Sequence, residues 1–115
     1  MNILEVKSVE EFDQLMDKSD DKPILFDFYA EWCGPCKMLT PMLEKLNEKY
    51  GEEILIVKVN IEEMPEIAGR FQVRSVPTVA TVSKGKGVQG SVGLNSLGYY
   101  ESMVANLIEE HKKES

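Results

Sequence analysis

The stretch Ile24-Leu25-Phe26-Asp27-Phe28-Tyr29-Ala30-Glu31-Trp32-Cys33-Gly34-Pro35-Cys36-Lys37 contains the only two cysteines of the 115-residue chain. Its first half, 24–30, is an apolar run with the look of a buried strand. Beyond it, Met38, Leu39, Met42, Leu43 and Leu46 recur at helical spacing. A Cys-x-x-Cys pair between a strand and a helix lies at the helix N-terminus. There, unpaired backbone N–H groups and the positive end of the helix dipole favour an anionic sulfur. Only the thiolate attacks a disulfide, so Cys33 is the expected nucleophile. Cys36, one turn further in, is placed to reach back and close the ring. Cys33 is therefore expected to be open to solvent, with Cys36 just inside.

Two other uses of the pair compete with redox chemistry. Closing so short a loop as a structural staple stabilises by only ~2 kcal/mol in the chain-entropy model. A zinc site needs four ligands and usually a second Cys or His pair. The chain has no third cysteine, and its one histidine, His111, lies in a charged C-terminal tail. No metal site is expected, and the strand–helix setting favours a redox dithiol.

The length suits a single domain, 1–115, with a modest core. A formal net charge of −7 argues against nucleic acid, whose phosphates would repel it. Met1-Asn2-Ile3-Leu4-Glu5 has neither the basic nor the long apolar region of a signal peptide. No apolar run approaches the roughly 18 residues of a membrane span. The expectation is a cytoplasmic protein. In a reducing cytosol disulfides are usually transient, which fits a reductant better than an oxidant.

In chain order, Ile3, Leu4 and Val6 form a first strand. Ser8-Val9-Glu10-Glu11 has capping-box spacing ahead of a helix lined by Val9, Phe12, Leu15 and Met16. The second helix, 34–50, contains Pro41, which should bend it, and Gly51 is placed to end it. Ile54 to Val59 is nearly continuous apolar, as in a strand buried on both faces of a parallel sheet. Strand, helix, strand makes a right-handed βαβ unit. A short helix near 63–71 follows, then a strand from Val76 to Val82, a turn at 84–87, a paired strand to Val92, and a helix from about 96 to 112. The order βαβα then ββα implies an α/β fold with a central sheet and helices on both faces.

Other features divide between structural and chemical readings. Gly85, Gly87 and Gly90 spell GxGxxG, but they lead into a strand and not into a helix, so they read as a hairpin. Asp27 is either a carboxylate turning out to solvent or a buried group of raised pKa exchanging a proton with Cys36. Lys58 either extends its ammonium to solvent or pairs with Asp27. Trp32 is a core aromatic or an apolar surface for partners. Pro77, read from the chain alone, is an ordinary strand-start proline. Met38, Met42, Met64 and Met103 read as core filler. His111, Glu31 and Lys37 read as solvated.

FDFYAEWCGPCK at 26–37, Lys58, and Val76-Pro77-Thr78 together resemble the thioredoxin family, from about residue 3 to the last helix. The resemblance implies the thioredoxin fold, a mixed β-sheet of parallel βαβ and antiparallel ββα halves. It implies a protein disulfide reductase working through Cys33 and Cys36, with a buried Asp27 beside Lys58. It further implies a cis peptide before Pro77 and a substrate groove of Trp32, Gly34, Pro35, Val76, Pro77, Gly93 and Leu94. No bound cofactor is implied. A separate thioredoxin reductase, linked to NADPH or ferredoxin, would recycle a monomeric protein that acts on disulfide-containing proteins. In the family, Gly34-Pro35 is the reducing type of dipeptide. Tyr29 departs from the usual tryptophan, Thr78 to Val82 is smaller and more polar than usual, and Leu94 replaces a smaller residue. Two alternatives stay open: an oxidase or isomerase of the same fold, and a non-catalytic binding module using the Trp32–Pro77 surface.

Overall fold

The structure, a computed structural model, describes residues 3–113. Its elements are β1 (Leu4–Glu5), α1 (Val9–Lys18), β2 (Ile24–Tyr29), α2 (Gly34–Tyr50), β3 (Leu55–Asn60), α3 (Pro65–Arg70), β4 (Thr78–Ser83), β5 (Lys86–Val92) and α4 (Leu97–Lys113). The five strands form one sheet in the order β1-β3-β2-β4-β5. β1, β3 and β2 run parallel, while β4 and β5 are antiparallel to their neighbours. This is the mixed α/β sheet that the element order implies.

Local chemistry explains the boundaries. Ser8 caps α1 by accepting from the Glu11 N–H at 3.1 Å, and the Glu11 carboxylate reaches back to the Lys7 N–H at 2.6 Å. The reciprocal bond thus goes one residue further upstream than a capping box would place it. Pro41 lies on the exposed side of α2, so the helical hydrogen bond it forgoes faces water. Gly51 ends α2 with φ −62°, a right-handed conformation, and so does not supply the left-handed termination expected of it. The glycine triplet is a hairpin. Lys84 and Gly85 turn with φ 53° and 78°, while Gly87 and Gly90 pair across to Val82 and Ala80.

Alternation along the strands sends side chains to two cores. Leu25, Ile56, Leu39, Leu43, Leu46, Tyr100, Met103 and Leu107 fill the α2/α4 face. Phe26, Phe28, Val57, Val59, Phe12, Leu15 and Ile67 fill the α1/α3 face. Phe71 closes the second core, its ring 5.0 Å from Phe28 and 5.4 Å from Phe26.

Two further expectations fail. Met38 is not core filler but 59% exposed, because the side of α2 that it shares with Gly34, Pro41 and Lys45 faces solvent. His111 is not a solvated tail residue: Nδ1 lies 2.7 Å from Ser83 Oγ and Nε2 3.3 Å from the Asp21 carbonyl. A carbonyl only accepts, so Nε2 carries a proton and the ring ties α4 to the ends of β4 and of the α1–β2 loop.

Tyr100 ties the last helix to the loop that ends β5. Fully buried, its hydroxyl donates to the Gly93 carbonyl at 3.2 Å and accepts from the Asn95 N–H at 2.9 Å. Tyr100→Phe leaves both groups without this partner and should lower stability by about 1–3 kcal/mol. Urea titration is expected to show an earlier midpoint with an unchanged slope; an unmoved midpoint would mean that the hydroxyl is dispensable.

Candidate active site

β2 is the central parallel strand, and its C-terminal end delivers the chain to the dithiol. In open α/β sheets this carboxyl edge is where ligands gather. After Tyr29 the chain turns through Ala30, whose carbonyl accepts from the Cys33 N–H at 3.2 Å. Cys33 is the N-cap of α2, and its sulfur accepts from the Cys36 N–H at 3.1 Å. Pro35 has no N–H to offer, so the Cys36 amide is the donor aimed at this sulfur. The two cysteines are joined as a disulfide with Cα atoms 5.3 Å apart.

Both cysteines are only 4% exposed, which differs from the expected contrast between an open Cys33 and a covered Cys36. The bond draws the two side chains together, and Ala30, Tyr29, Ile61 and Val76 pack against the pair. Helix position, and not exposure, therefore distinguishes the two sulfurs in the oxidised protein.

Around them, Trp32 is 68% exposed and is a surface, not a core, aromatic. Its indole N–H donates to Glu62 Oε2 at 3.0 Å, which ties it to the turn after β3. That turn is held in place by the buried Asn60 side chain, which accepts from the Glu62 and Glu63 N–H groups. Gly34 and Pro35 are exposed, and a Cβ on Gly34 would meet open space. The Val76–Pro77 peptide is cis, and both residues precede β4 instead of opening it. Gly93 has φ +88° and donates to the Pro77 carbonyl at 2.8 Å, so a left-handed residue joins the end of β5 to the loop beside the dithiol. Leu94 packs against the α2/α4 core.

Asp27 is fully buried, and neither carboxylate oxygen has a hydrogen-bond partner among the described residues. Burial disfavours its charged form and raises its pKa to about 7, opposed by the Lys58 ammonium and assisted by the Glu5 carboxylate. Register places Lys58 directly beside Asp27 on β3, as expected. The ion pair itself does not form, since no described cation lies within salt-bridge distance of Asp27. Instead the Lys58 ammonium sits 4.6 Å from the Tyr29 ring centroid and 3.5 Å from Thr40 Oγ1. The long lysine stem lets the charge leave the core and keep partial hydration.

A cavity of about 150 Å³ opens between Cys36, Lys58, Tyr29, Thr40, Lys37 and Glu31, giving water-sized access to the inner cysteine. A wider cavity of about 800 Å³, near Lys22, Glu48 and Leu55, lies at the other end of the strands, away from this chemistry. Ile61, Glu62 and Thr40 belong to the site but escape sequence reasoning. The signal for the first two was their place, just past the C-terminal end of a parallel strand. Among the described residues no cluster of three or more His, Cys, Asp or Glu is arranged to hold a metal, and no helix is long and apolar enough to cross a membrane.

Comparison with known proteins agrees with this geometry. A family model described as thioredoxin matches residues 3–106. The chain is 43% identical over 91 residues to a thioredoxin of Chlorobaculum thiosulfatiphilum, covering 79% of this chain and 81% of that one. It is 35% identical to thioredoxin-T of Drosophila melanogaster, covering 92% of this chain and 64% of that longer protein. The oxidised crystal structure of mitochondrial thioredoxin 3 from Saccharomyces cerevisiae superposes with a TM-score of 0.83 at 33% identity, covering 91% and 95% of the two chains.

The unpartnered Asp27 carries a stability consequence with a definite sign. Its folded-state pKa lies above the model-peptide value of 3.8, so between pH 4 and about 7 the folded protein binds more protons than the unfolded chain. Stability should fall as pH rises through that window and level off above it. Asp27→Asn should remove this slope, stabilising little at pH 4 and by up to about 4 kcal/mol at pH 8. Denaturant titrations of both proteins across that range test this; parallel curves would exclude a raised pKa.

Proposed function

The chain belongs to the thioredoxin family, and from that membership we propose the roles its residues take in disulfide reduction. It is a thiol–disulfide oxidoreductase, a protein disulfide reductase, and thioredoxins need no bound cofactor. The observation that carries the assignment of roles is the Cys36 N–H directed at the Cys33 sulfur at the start of α2. The helix-terminal donor that meets this sulfur in the disulfide also stabilises it as a leaving group or as a nucleophilic anion.

In the proposed sequence, the Cys33 thiolate attacks one sulfur of a substrate disulfide. A mixed disulfide forms, and the other substrate sulfur leaves as a thiolate that takes up a proton. Asp27, half ionised near neutral pH, accepts the proton of the Cys36 thiol. The Cys36 thiolate then attacks Cys33, the Cys33–Cys36 disulfide forms, and the second substrate sulfur departs reduced. Two electrons have passed from the dithiol to the substrate. Trp32, Gly34, Pro35, Val76 and Gly93 form the surface for the substrate chain, with Pro77 buried next to Val76, and Lys58 tunes Asp27.

Proteins of this family act with reductases and with disulfide-bearing substrates. We extend this to a dedicated reductase drawing on NADPH or ferredoxin, and to a monomer serving as a cytoplasmic electron carrier. A reducing compartment suits a protein that must be regenerated as a dithiol.

The two cysteines separate cleanly in experiment. Cys33→Ser should lose reduction of insulin disulfides, whereas Cys36→Ser should form a stable mixed disulfide seen as a shifted band on non-reducing gels. The opposite pattern would exchange the two roles. A Cys33→Ser/Cys36→Ser protein that kept its function in cells would favour the binding module.

A further inference from the structure

Three strands place three charged residues in one row. Glu5 on β1 is in register with Lys58 on β3, and Lys58 with Asp27 on β2. Laterally paired residues share a face of the sheet, so Lys58 lies between two carboxylates. It bonds to neither. Its ammonium is over the Tyr29 ring at 4.6 Å, and the Tyr29 hydroxyl donates to Glu5 Oε2 at 2.6 Å.

We propose that Glu5 and Tyr29 are positioning residues of the redox site, holding the Lys58 ammonium at the cavity beside Cys36 and away from the Asp27 carboxyl. The proposal rests on the reductase reading above and adds to it a control on the proton that serves Cys36.

Each link has a physical basis. A cation is attracted to the face of an aromatic ring. A short hydrogen bond from the phenol to a carboxylate is charge-assisted, holds the ring in orientation and makes it more electron-rich. The Glu5 charge adds a longer-range pull on Lys58 from the sheet edge. Burial and the Glu5 bond both raise the Tyr29 pKa, so the hydroxyl stays protonated and remains a donor throughout the working range. Thr40 Oγ1 on α2 supplies a hydrogen-bond partner to the ammonium at 3.5 Å. The other charged groups around the same cavity are Lys37 on α2 and Glu31 in the β2–α2 loop, both exposed. With Lys58 held there, no described residue bonds to either oxygen of Asp27. If Glu5 lost its charge, the pull that holds Lys58 at the Tyr29 ring would weaken, and its ammonium would shift toward Asp27 and favour the ionised form. Loss of the direct Glu5 field acts in the same direction, so the sign is unambiguous.

The test is Glu5→Gln, which keeps a hydrogen-bond acceptor for Tyr29 at a half-buried edge position and removes only the charge. Glu5 lies two strand spacings, about 10 Å, from Asp27. Across that distance the change should weaken proton binding at Asp27 roughly three- to tenfold. The readout is the carboxyl carbon-13 shift of Asp27 in the oxidised protein against pH, together with the pH profile of insulin reduction, which should move to lower pH. An Asp27 titration identical to that of the parent overturns the proposal. The same substitution in a Lys58→Met background separates positioning from a direct field: there the shift should fall below half its size, and a full-sized shift overturns the positioning role. Because the titration is read on the oxidised protein without substrate, these outcomes are independent of whether the cysteine variants confirm reductase activity.

Discussion

A carboxyl group enclosed in the middle of the sheet, with no partner for either oxygen among the described residues, is the constraint around which this molecule is arranged. Asp27 occupies the central strand, flanked by β3 on one side and β4 on the other. An apolar residue there would complete the α2/α4 core without penalty. The fold instead retains an acid that must be neutral to be comfortable, and places it three residues before Ala30, which packs against both cysteines. Burying an unbonded polar group ordinarily costs a few kcal/mol, so the rest of the structure has to absorb that loss. It does so with two full hydrophobic cores and a Phe12–Phe26–Phe28–Phe71 cluster behind the sheet.

The parts of this arrangement set by local chemistry were legible in the chain. A dithiol between an apolar strand and an amphipathic helix can hardly lie anywhere but at the helix N-terminus, and Cys33 caps α2 as that logic requires. The glycine triplet was a hairpin for the same local reason. The chain also showed that Asp27 and Lys58 stood in apolar strands, and parallel pairing made them neighbours. It could not show where the lysine head would go. That depends on Tyr29, on Thr40 in the next helix and on Glu5 in an edge strand, none of which is near Lys58 in sequence. Met38 and His111 failed for a related reason. Periodicity gives the angle of a side chain around its helix, but not whether another element covers that angle. The side of α2 that carries Met38, Pro41 and Lys45 is uncovered, whereas the end of α4 meets Ser83 and Asp21 at His111. Ile61 and Glu62 join the site through the sheet's carboxyl edge, a property of topology and not of any short motif.

The avoided ion pair between Asp27 and Lys58 follows from a comparison of costs. Bringing the ammonium inward would gain a Coulombic attraction but would strip water from two charges, and in buried pairs that penalty often equals or exceeds the gain. At the cavity the ammonium keeps partial hydration, a ring face and a hydroxyl, and it lowers the Asp27 pKa only from a distance. The carboxyl is therefore left with a proton affinity near neutrality. A tight pair would have fixed Asp27 as an anion, too weak a base to take a thiol proton readily. A dry core with no cation nearby would have fixed it as an acid with no capacity to accept one. The proton acceptor proposed for Cys36, refilled and emptied in each cycle, needs the intermediate case. The chain reaches it by letting a lysine lie beside the acid in register while its charge is held a few ångströms away.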